Sequence, residues 1–245
     1  MRARAGLLVV AAGILLPMLG AASALADPLE SVRFEARGSL EMARQLLERA
    51  IAIRYACDSW ARIDLRMRDG RGGERHRRIQ TIAKHIDGRM HSIGRLVSPR
   101  HLRGMTILSI EARNRGDDVF VYLPSLRRVR RVSMGRRADS FLGSDLTYQD
   151  LDRQRAEDYR IESLARDVVD GEPVHLITAR PGNHQSYQRI AFRVAVSDLA
   201  ILELRYYKAG DPQPSRIVRF PRASIHSSGG NLVPTRIHVA NTIRG

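Results

Sequence analysis

Over most of the chain, apolar and polar residues alternate one by one. Trp60–Arg68 is the clearest run. Ala61, Ile63, Leu65 and Met67 fall on one side, and Trp60, Arg62, Asp64, Arg66 and Arg68 on the other. A period of two predicts a strand with one buried face. Similar runs continue to the C-terminus, separated by turn-forming stretches such as Asp69-Gly70-Arg71-Gly72-Gly73, Asn114-Arg115-Gly116-Asp117-Asp118 and Ser228-Gly229-Gly230-Asn231. The pattern predicts about eleven short strands at meander spacing, which implies an antiparallel barrel or a strongly curved sheet. No helical pattern intervenes between successive strands, which excludes a parallel α/β sheet.

The period changes to that of a helix only near the N-terminus. Leu29, Val32, Ala36, Leu40, Ala43, Leu46, Leu47, Ala50 and Ile51 recur at helical spacing, predicting one helix over Leu29–Ala56 with Gly38 as a weak point. Such a helix either covers an open sheet or acts as a lid over an apolar cavity. Before it, Arg2 and Arg4 precede an apolar core, Gly6–Gly20, and the small-residue site Ala24-Leu25-Ala26. This is the pattern of a secretory signal peptide spanning residues 1–26, leaving residues 27–245 as a single domain. The apolar core is short for a membrane span, which needs roughly 20 residues.

Charge changes the picture. The formal net charge is +15, carried mostly by scattered arginine. Nucleic acid is the first partner such a composition suggests. The export signal argues against it and turns attention to lipid headgroups and acidic protein faces in a cell envelope. Cys57 is the only cysteine, so no intramolecular disulfide can form, and it reads as a small buried hydrophobe.

Candidate chemistry is sparse. The eight histidines form no HExxH pair or other compact ligand spacing, so no metal is expected. Gly143-Ser144-Asp145 lacks the second glycine of a nucleophile elbow and reads as a turn that caps a short helix ending at Leu151. No catalytic residue and no cofactor is indicated. The basic run Leu126–Ser133 differs in kind. Strand alternation places Arg128 and Arg130 on one face with Val132, and Arg127 and Arg131 on the other with Val129. With no wholly apolar face, the run suits a sheet edge, either protected from aggregation by its charge or used to dock on an anionic surface.

Three segments in order carry a resemblance: Ser98-Pro99 through Arg103-Gly104-Met105; Val121-Tyr122-Leu123-Pro124-Ser125-Leu126-Arg127-Arg128-Val129; and Phe141-Leu142-Gly143-Ser144-Asp145-Leu146-Thr147-Tyr148-Gln149-Asp150-Leu151. Together they resemble the outer membrane lipoprotein-sorting protein family, the LolA-like periplasmic proteins. The resemblance implies an unclosed, strongly curved antiparallel β-barrel, with the N-terminal helix and the short mid-chain helix covering its concave face. It also implies a monomeric periplasmic carrier of lipoprotein acyl chains or other lipid, making transient membrane-surface contact and working without chemistry. Some relatives are associated with transporters, so an RND-type or ABC-type membrane transporter is an expected partner. An interaction module docking on such a transporter through Arg127, Arg128, Arg130 and Arg131 is the alternative. Alternation then nominates Ile63, Leu65, Ile107, Ile110, Ile201 and Leu204 as cavity lining. Tyr122, Pro124, Gly143, Ser144, Asp145 and Tyr148, all within the shared motifs, read as fold-specifying.

Overall fold

A computed structural model describes residues 6–14, 39–55, 58–69, 71–112, 116–136, 139–151, 154–182 and 187–242. Among the described residues the protein is mainly β, with one α-helix, α1 (Ser39–Tyr55). The strands are β1 (Gly6–Ile14), β2 (Ser59–Arg68), β3 (Glu74–Ile86), β4 (Arg89–Ser98), β5 (Thr106–Ile110), β6 (Asp118–Leu123) and β7 (Arg128–Arg131). They continue as β8 (Tyr159–Val169), β9 (Glu172–Pro181), β10 (Arg189–Ala195), β11 (Ile201–Tyr207) and β12 (Arg216–Arg219). The last three are β13 (Ile225–Ser228), β14 (Asn231–Pro234) and β15 (Arg236–Asn241). The chain divides into two compact units, one of residues 1–18, 57–153 and 235–245, the other of residues 19–56 and 154–234.

In the first unit the strands are antiparallel neighbours in the order β7-β6-β5-β4-β3-β2-β1-β15. One face carries the core: Ile79, Leu96, Ile107, Val119 and Val121, closed over by Phe141 and flanked by Ile63, Leu146 and Tyr148. Strand alternation produces this, since Ile79 pairs with both Ile63 and Leu96, and Ile107 with Val121. Strand β1 falls inside the segment expected to be removed on export. Its backbone pairs with β15 on one side and β2 on the other.

In the second unit the order is β12-β11-β10-β9-β8, with β13–β14 as a separate hairpin. One face is buried and largely apolar, with Ile177, Ile190, Phe192, Val194, Leu204 and Val218, and it also holds the buried His175 and Arg216. Helix α1 packs against β8 and β14. It buries Ala43, Leu46, Leu47, Ala50 and Ile51, the positions at which the sequence recurs with helical spacing. A smaller core joins Val174, Ala195, Ala200 and Leu202 to Ile225 and Leu232 of the hairpin.

Two local expectations take a different form. The basic strand starts at Arg128 instead of Leu126, because Pro124–Leu126 forms a 3-10 turn and Arg127 is left-handed with φ 49°. The mid-chain helix is one 3-10 turn, Tyr148–Leu151. The expected helix is described from Ser39 to Tyr55; its first ten residues, Gly38 among them, its last residue Ala56, and Cys57 lie outside the described residues, as does the cleavage site after Ala26.

Candidate binding surfaces

The six nominated lining residues fall in both units. In the first, Ile63 and Ile107 flank or form the core described above and Leu65 is buried. Ile110, an odd number of residues from Ile107, projects from the opposite face, where its neighbour across the ladder is Asp118. In the second unit, Leu204 is buried opposite Phe192 and Val218. Ile201 reaches a small apolar cleft, together with Ala50, Ile53 and Arg54 of α1, Ala200, and Ile225, Leu232 and Pro234 of the β13–β14 hairpin. Its cavity volume is about 10 Å³, about the space one water occupies. Sites that enclose a drug-sized ligand hold roughly 300–1,000 Å³, so an acyl chain would need the cleft to widen. At one end of the cleft residues the Arg54 guanidinium stacks 4.1 Å above the Phe220 ring.

The basic hairpin is built by β6 and β7, with β7 at the end of the strand order and exposed along its whole length. Arg128 pairs with Leu123 and Arg130 with Val121, whereas Val129 pairs with Tyr122 and Arg131 with Phe120. Arg128 and Arg130 therefore share one face, and Val129 and Arg131 the other. Arg131 is held by the Asp118 carboxylate. Leu126 and Val129 are 51% and 64% exposed, so the hairpin presents apolar as well as basic groups to solvent.

The motif residues make a turn that closes the first unit's core. Phe141 N–H donates to the Leu146 carbonyl, and the Ser144 hydroxyl donates to the Phe141 carbonyl and accepts from Leu146 N–H. Gly143, at φ 73°, supplies the left-handed step. Tyr148 meets Phe141 edge to face at 5.7 Å, and burial together with Asp139 raises its phenol pKa. Ser144 does not cap the 3-10 turn; where the turn begins, the Asp150 carboxylate accepts from both the N–H and the hydroxyl of Thr147. Asp145 instead accepts from the Asn241 amide of β15. Pro124 opens the 3-10 turn after β6, and Tyr122 is partly exposed beside Val129.

One cluster escaped the sequence pattern. Glu203 of β11 is 1% exposed and binds three guanidinium groups, those of Arg205 at 2.6 Å, Arg219 at 2.7 Å and Arg193 at 3.3 Å. Arg193, itself buried, also donates to Asp167 at 2.8 Å. The Val168 backbone N–H and Arg193 together hold Asp167 below the usual carboxylate range. On the same sheet's other face the buried His175 imidazole is pushed down by desolvation and by the neighbouring Arg166. The only signal in the sequence is the recurrence of arginine on three consecutive strands; their convergence depends on strand register.

Among the described residues no group of three His, Cys, Asp or Glu could hold a metal ion, and no helix is long and apolar enough to cross a membrane. A family model with the description "Uncharacterized protein" matches residues 88–245. No curated protein matches the chain. Three solved structures are similar. An outer membrane lipoprotein-sorting protein domain from Vibrio parahaemolyticus is 19% identical with a TM-score of 0.71, over 83% of this chain and 91% of that one. A DUF1329 family protein from Desulfovibrio piger is 24% identical with a TM-score of 0.72, over 83% and 90%. A LolA superfamily protein from Nitrosomonas europaea is 21% identical with a TM-score of 0.59, over 81% and 90%. The chain thus belongs to the family whose model spans residues 88–245, and it has the LolA-like open β-barrel fold of the outer membrane lipoprotein-sorting proteins.

Proposed function

We propose that the protein is an exported, periplasmic carrier that holds lipoprotein acyl chains or another lipid in an apolar site and hands them between envelope membranes without chemistry. Cleavage after Ala26 would leave residues 27–245 as the working, monomeric molecule. The fold of the similar structures supports this reading, and the apolar cleft beside α1 carries it. The buried side chains of α1 are apolar, so lifting the helix breaks packing but exposes no ion pair of those residues. An incoming acyl chain replaces that packing, gaining about 0.8 kcal/mol for each buried CH₂. Arg54 stands at the cleft with its guanidinium over Phe220, placed to meet an ester or phosphate group as the chain enters.

Mass spectrometry of protein purified without detergent tests the reading. Envelope lipid is expected to co-purify, and Ile53→Trp, which fills the cleft from a half-buried position, is expected to lower occupancy several-fold while leaving the melting temperature within a few degrees. Protein that carries no lipid, and takes none up from donor vesicles, would remove the carrier reading.

The exposure of Arg128 and Arg130 on the edge strand favours a second reading, in which the hairpin docks on the acidic face of an RND-type or ABC-type transporter. Docking of this kind is compatible with carrying lipid, since cargo and partner would use different units.

A further inference from the structure

In the first unit the face opposite the core carries an unbroken apolar row. Trp60 pairs with Ile82, Ile82 with Ile93, Ile93 with Leu108, and Leu108 with Phe120. Five consecutive strands thus contribute one rung, roughly 19 Å long at about 4.8 Å per strand. Ile82 is 51% exposed and Ile93 43%, while Trp60, Leu108 and Phe120 are half-buried. The unit's core cluster lies on the other face and includes none of these five residues.

Two arginines border the row on one side. The rung below it is Arg62, Gln80, Arg95, Thr106 and Tyr122; the rung above is Lys84, His91, Ile110 and Asp118. Arg62 lies beside the indole of Trp60, its guanidinium carbon 6.0 Å from the ring centroid. The acidic groups beside the row are engaged: Asp58, next to Lys84, accepts from the His85 backbone N–H at 2.8 Å, Asp64 accepts from Arg78 at 3.1 Å and lies 3.3 Å from His76, and Asp118 is held by Arg131. Arg62 and Arg95 make no ion pair among the described residues. The face is an apolar strip with a tryptophan at its end and the cations Arg62 and Arg95 along one border.

From this arrangement we infer that the outer face of β2–β6 is a docking surface for an anionic lipid bilayer. The apolar row enters the boundary between headgroups and acyl chains, Trp60 takes the interfacial position its ring favours, and Arg62, Arg95 and Lys84 lie in the phosphate layer. One row of five partly exposed side chains offers far less area than the roughly 800 Å² per partner of a stable protein interface. Two copies of the face would also bring like charges together, which opposes self-association. A lipid surface needs neither a large complementary area nor a fixed register. The inference stands apart from the carried lipid, since it places a membrane against the exterior of the first unit.

Co-sedimentation with vesicles tests it. The protein is expected to bind vesicles of phosphatidylcholine mixed with phosphatidylglycerol, to bind pure phosphatidylcholine weakly, and to be released by high salt. Ile82→Asp/Ile93→Asp should bind the mixed vesicles about tenfold more weakly or worse, because charge then replaces apolar groups in the headgroup layer. Arg62→Glu/Arg95→Glu keeps the apolar row and should lose binding to a similar extent, which maintains the test should the isoleucine variant misfold. Equal binding of both variants and the parent would overturn the inference. So would loss of binding in Arg128→Glu/Arg130→Glu alone, which would assign membrane contact to the hairpin, or a parent dimer that the isoleucine variant converts to monomer without any change in vesicle binding.

Discussion

At the scale of single residues, the most consequential side chain is one that strand alternation cannot distinguish. Leu202-Glu203-Leu204-Arg205 reads as an ordinary strand with glutamate pointing to water. The bulge between Arg193 and Val194 and the pairing of Glu203 with both Arg193 and Arg219 bring long cationic side chains over the carboxylate and bury it. Removing the carboxylate leaves the buried Arg193 with only Asp167 to balance it. Glu203→Ala is therefore expected to cost about 3 kcal/mol in urea unfolding. Arg219, whose side chain is 55% exposed, should cost well under about 1 kcal/mol when replaced by alanine. Similar losses from both variants would mean that the network's stability lies in the outer arginine and not in the buried acid.

At the scale of elements, what could be read in advance follows how local the signal is. The buried stripe of α1 is written in its own spacing, and all five of its buried residues were among those that predicted the helix. The hairpin of β6 and β7 was legible as strand, break and strand, but the start of its second strand was not: Leu126, in a 3-10 turn, and the left-handed Arg127 are two positions that alternation counted as strand. The motif was legible as a turn at Gly143-Ser144-Asp145 but not in its bonding: Ser144 bonds back to Phe141 and Leu146, and the 3-10 turn begins with Thr147 bonded to Asp150. Phe141 is 6% exposed and closes the first unit's core. Phe141→Ala is expected to lower stability by about 3–5 kcal/mol. Gly143→Ala should cost roughly 1 kcal/mol through its left-handed backbone, and its new Cβ would meet only the end of the flexible Arg75 side chain at 3.3 Å. Chemical denaturation of the two variants checks the ranking; a larger loss at Gly143 would mean that the turn's conformation, rather than the ring it delivers, holds the core shut.

At the scale of the molecule, the antiparallel, mainly β character and the single N-terminal helix were visible in the sequence because period and turn chemistry are repeated many times. Which strands become neighbours was not visible. Joining residues 235–245 to residues 57–153, or α1 to residues 154–234, is decided by contacts between distant segments that no local pattern encodes. The outer row from Trp60 to Phe120 illustrates the point. Each of its residues looks unremarkable in its own strand, and only five registers taken together line them up.

The pairing of β1 with both β2 and β15 has a consequence for the protein's history in the cell. Processing after Ala26 would delete a strand that satisfies backbone groups on both neighbours, so precursor and product would differ by more than an address label. In protein lacking residues 1–26, amides of β2 and β15 that face β1 are expected to exchange with deuterium faster than in the full chain, whereas those of β9 and β10 should not change. Unchanged exchange in residues 61–67 and 236–241 would mean that another strand takes over the vacated pairings. The leader would then act as a temporary splint: it holds two edges occupied until the peptidase sets them free to find each other.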